Sequence, residues 1–148
     1  MHHSYLDHPL RKALIGIALK WEHDYSVLPR TGDALSEFDA AMLVGHTPES
    51  FGEVMVGMTA VQKGFDFRIG NIRYQIKHNR PSGKKGSKIT NAGKAKGLDQ
   101  WDKWIWIRYD RIFVIEEAWL WTSEDFWSAF ELDEGLTPEK MRQGKSLT

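Results

Sequence analysis

The sequence predicts a single domain of the α/β or α+β class, in which helices pack on a β-sheet. Apolar residues recur at helical spacing up to about residue 63, and an alternating pattern typical of strands begins at Phe65. A chain of 148 residues has the length of one domain. Its seven Trp and seven Phe supply apolar area for a core that needs no disulfides. We therefore treat residues 1–148 as one unit of helices and sheet.

Three helices are predicted before the sheet, at residues 9–22, 33–43 and 47–63. Their inward faces should carry the apolar residues at helical spacing: Leu10, Leu14, Ile17 and Trp21 in the first, Leu35, Phe38 and Met42 in the second, and Phe51, Val54, Met55, Met58 and Val61 in the third. Thr47 is the expected N-cap of the third helix, with Pro48 at its first position. Gly45 and Gly64 are expected to end the second and third helices.

A β-hairpin is predicted over residues 65–77, because two alternating runs flank a two-residue Gly70-Asn71 loop. This turn sets the register: the facing pairs are Asp66 with Gln75, Phe67 with Tyr74, Arg68 with Arg73, and Ile69 with Ile72. Facing side chains have Cβ atoms about 4.5–5.5 Å apart. One hairpin face is therefore apolar and packs inward, and the other presents Asp66, Gln75 and Lys77 together.

Residues 79–97 are predicted to be a loop, because they are rich in Gly, Lys, Ser and Asn. Residues 101–143 should hold the remaining strands and C-terminal helices. The strands are expected at 104–109 and 112–115, with 119–121 extending the second. A helix capped by Thr122 or Ser123 should run to about Leu132, and Thr137-Pro138 should start a short last helix. Trp104 and Trp106 alternate with Ile105 and Ile107, which is typical of a central strand covered on both faces.

Positive charge is concentrated in one part of a chain whose net charge is zero. Residues 67–98 contain nine Lys or Arg and no Asp or Glu, whereas residues 1–66 hold five basic and nine acidic side chains. Such a distribution favours a local contact with a polyanion, and a solvated basic loop is the alternative.

The segment HNRPSGKKGSKITNAGKAKG (78–97) has the composition of a surface that binds a phosphate backbone. Its cations can neutralise phosphates and its two serines, Ser82 and Ser87, can donate hydrogen bonds. Arg80 can alternatively read guanine in a major groove. The expected DNA-contacting cations, including two on the hairpin, are Arg68, Arg73, Arg80, Lys84, Lys85, Lys88, Lys94 and Lys96.

The polar face of the hairpin has the groups that phosphodiester hydrolysis requires, namely oxygen ligands for a hard cation and a positive group near the phosphate. Asp66 supplies a carboxylate, Gln75 an amide oxygen and Ile76 a backbone carbonyl. Lys77 can orient or help deprotonate the attacking water, or stabilise developing charge. Glu53, on the preceding helix, is the candidate outer carboxylate that acts through water.

These residues resemble the PD-(D/E)XK nuclease superfamily, in which an acid on one strand is followed by an acid-x-Lys tripeptide on the next. The matching segments, within residues 47–121, are SFGEVMVG with Glu53, GFDFRI with Asp66, and YQIK with Gln75 and Lys77. Phe65 replaces the proline of the motif name. Gln75 replaces the usual acid, as in restriction enzymes resembling Mrr and a small intron-homing endonuclease, and this lost charge should weaken metal binding.

The resemblance implies a restriction-endonuclease-like α/β fold, a central mixed sheet flanked by helices. It also implies a Mg²⁺ cofactor, with Mn²⁺ as a substitute, and cleavage of double-stranded DNA. Cutting both strands implies a homodimer or larger symmetric assembly, for which the aromatic residues of 119–130 are the expected interface. The alternatives are a non-catalytic DNA-binding module on the same fold and an interaction protein independent of nucleic acid.

Several other classes are excluded by what the sequence lacks. Without cysteine there is no disulfide framework, no thiolate nucleophile and no Cys-based zinc site. No run of eighteen apolar residues is present to span a membrane. The first ten residues do not have the pattern of a secretory signal. We therefore expect a cytoplasmic protein of a prokaryote or phage.

Overall fold

The computed structural model is described for residues 4–56, 64–82 and 86–148. A short 3-10 helix (Ser4–Asp7) precedes five α-helices: α1 (Pro9–Tyr25), α2 (Gly32–Leu43), α3 (Pro48–Val56), α4 (Ser123–Ala129) and α5 (Pro138–Met141). The strands are β1 (Phe67–Ile69), β2 (Ile72–Asn79), β3 (Gly93–Lys94), β4 (Lys103–Tyr109), β5 (Ile115–Thr122), β6 (Gly135–Leu136) and β7 (Lys145–Ser146). No helix in these ranges is long and apolar enough to cross a membrane.

Five strands form a mixed sheet in the order β1-β2-β4-β5-β7. β2 and β4 are parallel, and the other neighbours in this sheet are antiparallel. Strands β3 and β6 form a separate antiparallel pair. The predicted α/β class, with helices flanking a central mixed sheet, is confirmed. The predicted hairpin register is also confirmed over the three pairs of β1 and β2.

The central strand β4 divides the core into two clusters. Ile105, Ile107 and Tyr109 are fully buried in a cluster with residues of α1 and α2, whereas Trp104 and Trp106 are fully buried in a cluster with residues of α4 and α5. The predicted alternation of β4 is therefore confirmed. Both of its faces are apolar because helices cover both sides.

The inward face of α1 differs from the prediction. Leu10, Ile17 and Trp21 are exposed, while Arg11 and Ala18 are buried. Arg11 is turned inward because its guanidinium forms hydrogen bonds of 2.8 and 3.0 Å with the carboxylate of Asp39, which is fully buried. A buried carboxylate needs such a partner. Leu14, Ile15 and Leu19 pack against the core on the same side as Ala18, so the inward face of α1 is an apolar stripe that also carries the ion-paired Arg11.

The predicted strand at residues 112–115 is wrong. The carboxylate of Asp110 accepts the N–H groups of Ile112 and Val114, and Phe113 has a φ of 64°, so these residues form a turn. β5 begins only at Ile115 and runs through the predicted extension at 119–121.

Other boundaries differ by a few residues. α1 extends past residue 22 to Tyr25, and α4 ends at Ala129 rather than Leu132. Thr122 and Thr137 are the N-caps of α4 and α5, as predicted. Thr47 caps α3 by accepting the N–H of Ser50 at 3.1 Å. The predicted continuation of α3 over residues 57–63, with Met58 and Val61, lies outside the described ranges.

The predicted loop at 79–97 is more ordered than expected. It contains β3, and Ala92 and Ala95 on either side of that strand are buried in the cluster of Trp101 and Trp104. The aromatic residues of 119–130 were expected to form a subunit interface. Instead Trp121, Phe126 and Phe130 are buried within the chain, so the main apolar side chains of this segment are core.

Candidate active site

The site lies at the edge of the sheet just before the first residue of β1, where β2 continues without β1 beside it. β1 pairs with β2 over three residues, whereas β2 is eight residues long. Asp66, directly before β1, continues the pairing by donating its N–H to the carbonyl of Tyr74 at 2.8 Å. Its carboxylate Oδ2 then accepts the N–H of Ile76 at 2.8 Å and that of the Gln75 amide at 3.2 Å. The Asp66 side chain therefore occupies the edge position of β2 beyond the hairpin.

A second carboxyl group reaches Asp66 from α2. The Glu37 carboxyl is hydrogen-bonded to the Asp66 carboxyl. Burial, the charge of Asp66 and this hydrogen bond raise the pKa of Glu37 to about 8. Burial also raises the pKa of Asp66, against the opposing effects of the Ile76 N–H and Lys77. The two carboxyls therefore share a proton near neutral pH, since two close carboxylates in a partly buried site do not both ionise.

Glu37, not Glu53, is the second carboxylate that interacts with Asp66. Glu53 lies on α3 with an exposed side chain and is not among the groups that shift the pKa of Asp66. The sequence signal for Glu37 is weak: an acidic residue on a helix before the hairpin, off the predicted apolar face. Glu53 meets the same description and is nearer in sequence. Only the path of α2 across the sheet distinguishes them.

Gln75 and Ile76 line the same edge. The Gln75 amide turns its nitrogen, not its oxygen, toward Asp66. The predicted role of its oxygen as a metal ligand therefore requires the amide to turn over. The N–H and C=O of a strand residue point to the same side. The Ile76 carbonyl thus points to the edge at which Asp66 accepts its N–H, so its assignment as a ligand stays a prediction consistent with this direction.

Lys77 lies on the opposite face of β2 from Ile76, and its ammonium is 5.9 Å from the centre of the Trp104 ring. Its charge acts on Asp66, lowering the pKa of that carboxyl. Trp104 is fully buried, so the Lys77 side chain rests on a rigid surface. The prediction that Asp66, Gln75 and Lys77 lie together agrees with these contacts.

The chain that leads into Asp66 lies against Gln100, which follows the basic segment. A Cβ atom on Gly64 would overlap the Gln100 side chain, and Gly64 has a φ of 84°. The carbonyl of Lys96 accepts the indole N–H of Trp101 at 2.8 Å, and the Trp101 and Trp104 rings are 5.4 Å apart. The backbone of Lys96 is therefore held by Trp101, whose ring contacts Trp104, and Trp104 in turn contacts Lys77.

The predicted DNA-contacting cations divide into two groups. Arg68, Lys88, Lys94 and Lys96 are exposed. In contrast, Arg73 forms an ion pair with Asp102 at 3.1 Å. Arg80 is 8% exposed and binds Glu22 with two hydrogen bonds of 2.8 and 2.9 Å. The contacts of Arg73 and Arg80 indicate structural roles instead of free phosphate ligands.

The remaining residues of the predicted DNA surface are Ser82, Lys84, Lys85 and Ser87. Ser87 accepts the backbone N–H of Ser82 at 3.0 Å, so its hydroxyl helps to hold this segment together. Lys84 and Lys85 lie outside the described ranges. Among the described residues, the exposed cations of the predicted DNA surface are therefore Arg68 on the hairpin and Lys88, Lys94 and Lys96 in the basic segment.

Mg²⁺ typically binds one or two carboxylates of a protein and keeps several waters. Glu37 and Asp66 are the two carboxyls that would hold such an ion here, once Glu37 has lost its proton. Within residues 4–56, 64–82 and 86–148, no three Asp, Glu, His or Cys side chains are grouped as metal ligands. Further ligands would have to be neutral oxygens, such as the Ile76 carbonyl.

Comparison with known proteins gives no assignment for this chain. No family model matches it, and no curated protein matches its sequence.

The pH dependence of stability tests the carboxyl pair. The pKa of Glu37 is raised from 4.5 to about 8, so the folded protein keeps a proton that the unfolded chain releases within this range. The metal-free protein should therefore lose stability as pH rises from about 4.5 to 8, with no further loss from this group above pH 8. Glu37→Gln, which is neutral throughout, should be nearly as stable as wild type at pH 5 and more stable at pH 8.

The measurement is urea unfolding at a series of pH values in the presence of a chelator. Glu53→Gln is the matched control, because Glu53 is exposed, and it should follow the wild-type profile. Parallel wild-type and Glu37→Gln profiles would show that Glu37 does not hold the proton.

Proposed function

We propose that this protein is a metal-dependent endonuclease that hydrolyses phosphodiester bonds of double-stranded DNA, of the restriction or homing type, on a restriction-endonuclease-like fold. The supporting observation is the pair of half-buried, interacting carboxyls of Glu37 and Asp66, whose pKa values are both raised, with the charge of Lys77 acting on Asp66. Perturbed carboxyls with a specific charge partner are typical of functional sites.

A bound Mg²⁺ would supply Lewis acidity at the phosphate and lower the pKa of a bound water. The protein's part is to hold the ligands in place. The Ile76 N–H fixes one oxygen of Asp66 at 2.8 Å, so the other oxygen is left for a cation. Glu37 would release its proton on metal binding, because a carboxylate ligand must be ionised. Mn²⁺, which also takes oxygen ligands, would serve as a substitute.

Lys77 is the catalytic amine in this proposal. Its ammonium lies against Trp104, which removes part of its freedom before substrate arrives. A fixed positive group beside the scissile phosphate stabilises the charge that develops in the transition state, and it can orient the attacking water. Gln75 replaces the usual acid of the resembling superfamily, and Glu37 supplies a carboxylate from another element.

The exposed cations give the site a surface for the DNA backbone. Lys94 and Lys96 are exposed in the basic segment, and Arg68 is exposed on the hairpin that carries Asp66 and Lys77. Each cation that neutralises a phosphate adds to affinity through the release of counterions. The contacts with a regular phosphate backbone would position the duplex without reading its sequence.

Cleavage of a supercoiled plasmid in Mg²⁺ tests the enzyme proposal. Asp66→Asn and Lys77→Met should each slow cleavage by roughly 100-fold or more, because the first removes a charged ligand of the proposed metal ion and the second removes the cation proposed to stabilise the reacting phosphate. Glu37→Gln should also slow cleavage, by about 10- to 100-fold. Glu53→Gln should cleave at the wild-type rate.

Folding and DNA binding are controlled separately for these variants. Circular dichroism should show a wild-type unfolding transition for Asp66→Asn, since its remaining amide oxygen can still accept the Ile76 N–H. If the wild-type protein retards DNA in a gel but does not cleave it, the result would instead support the non-catalytic DNA-binding module. Equal cleavage by wild type and Asp66→Asn would place the activity elsewhere.

The salt dependence of DNA affinity tests the basic surface. Lys94→Ala/Lys96→Ala should weaken binding to duplexes of any sequence and lower the slope of log K against log salt by about 2. Arg30→Ala/Lys145→Ala removes two exposed cations that lie outside the basic segment, and it should leave the slope unchanged. Fluorescence anisotropy over a range of salt concentrations measures both. Equal slopes for the two double variants contradict the assignment of this surface.

A further inference from the structure

The ring of His78 lies on the face of β2 that packs against α2. His78 is two residues past Ile76, so the two side chains share this face. Its Nδ1 atom is 3.1 Å from the Oγ of Ser36 on α2. Its ring centre is 6.2 Å from that of Tyr109 on β4, in an edge contact. The ring is therefore held by two elements, and 24% of the side chain is exposed.

The hydroxyl of Ser36 gives its contact with His78 a direction. Ser36 is 2% exposed, and its hydroxyl donates to the carbonyl of Asp33 at 3.1 Å. A hydroxyl has one hydrogen to donate, so the Ser36 oxygen accepts the N–H at Nδ1 of His78. The Asp33 carboxylate lies 3.6 Å from the same nitrogen. Rotation of the ring would leave buried polar groups without this partner, which is unfavourable.

Gly32, the first residue of α2, meets the other nitrogen of the ring. Gly32 is buried, and a Cβ atom there would lie 2.6 Å from Nε2 of His78. Gly32 does not have a positive φ, so its backbone conformation does not require glycine. The close approach of the ring explains the residue, because only glycine leaves that space open.

These contacts fix the position of α2 on β2 directly beside the carboxyl pair. Glu37 follows Ser36 on α2, at a rise of about 1.5 Å along the helix. Asp66 binds the N–H of Ile76 at 2.8 Å, two residues before His78 on β2. A displacement of α2 at Ser36 therefore carries Glu37 with it, whereas Asp66 stays with the sheet.

We infer that His78 is a positioning residue of the candidate site, which acts through Ser36 and Gly32 to set the separation of the Glu37 and Asp66 carboxyls. The role concerns the placement of Glu37 and includes no contact with a metal ion or with DNA. The placement is a property of the metal-free protein. Its effect on cation affinity rests on the proposed function.

Gly32→Ala tests the inference most sharply, because it adds one carbon where the ring lies. Moving that carbon from 2.6 Å to an ordinary contact requires a displacement of about 1 Å. The His78 ring is held on its other sides, so α2 should move instead. In crystals of the metal-free variant, the carboxyls of Glu37 and Asp66 should stand roughly 1 Å further apart than in wild type.

The same displacement should weaken the binding of Mn²⁺, which the EPR signal of the free ion measures. We expect the dissociation constant to rise about 10-fold, as when a partner that orients a metal ligand is lost. Gly32→Ala/His78→Asn should restore both the separation and the affinity. The Asn side chain is shorter, and its amide N–H can still donate to Ser36.

Gly52→Ala is the matched control for the added carbon. Gly52 lies within α3, where a Cβ atom meets nothing within 4 Å, and this variant should keep the wild-type separation and affinity. Ala favours a helix more than Gly does, so neither substitution weakens its helix by propensity.

Ser36→Ala is a second variant that adds no atom. It removes the acceptor of the His78 N–H, and it should also raise the dissociation constant for Mn²⁺. Ser50→Ala removes the corresponding contact of a second Ser–His pair, in which the Ser50 Oγ is 2.8 Å from Nδ1 of His46. Ser50→Ala should lower the stability to urea without changing Mn²⁺ affinity.

Two results overturn the inference. One is a Gly32→Ala crystal in which the His78 ring turns aside and the two carboxyls keep their wild-type separation. The other is a loss of Mn²⁺ affinity in Gly52→Ala and Ser50→Ala equal to that in Gly32→Ala and Ser36→Ala. If wild type binds no Mn²⁺, the proposed cation site fails, and the carboxyl separation in the metal-free crystals still decides the role of His78.

Discussion

The late start of β1, at Phe67, is the constraint on which the candidate site depends. An edge strand that continued beside β2 would satisfy the backbone of Ile76 by ordinary ladder hydrogen bonds. β1 covers only three residues of β2, and the Ile76 N–H instead binds the carboxylate of Asp66 at 2.8 Å. A buried N–H must have a partner. This requirement places the Asp66 carboxylate at the edge of the sheet. One of its oxygens accepts the Ile76 N–H, and the other is left for a neighbouring group.

What lies beside that carboxylate is a second acid, and its position has an electrostatic cost. The packing of α2 on the sheet buries part of Glu37 and sets it beside Asp66, and this burial, followed by the charge of Asp66, raises the pKa of Glu37 to about 8. A cation in place of the shared proton would remove the repulsion between the carboxyls. In our proposal, the same packing that orders the core would favour a divalent ion, and Lys77 with the exposed lysines would favour a polyanion.

The hairpin was predictable from sequence because its register depends on local turn geometry: Gly70-Asn71 fixes which residues face each other. The central strand was predictable because alternating Trp and Ile mark two covered faces. The rotation of α1 was not, since apolar residues lie on more than one side of the helix and the buried side also carries Arg11, which pairs with Asp39, 28 residues away. Glu37 was missed for a similar reason: its role depends on how α2 crosses the sheet.

The claim that Glu37 and Asp66 together form a divalent-cation site is tested most directly by diffraction from crystals soaked in Mn²⁺. Anomalous scattering would locate the ion without reference to activity. The account predicts one peak at about 2.0–2.3 Å from carboxylate oxygens of both residues, on the side of Asp66 away from the Ile76 N–H. It also predicts that the peak is lost in Asp66→Asn. A peak at Glu53, or a fully soaked crystal with no peak beside Asp66, would contradict it.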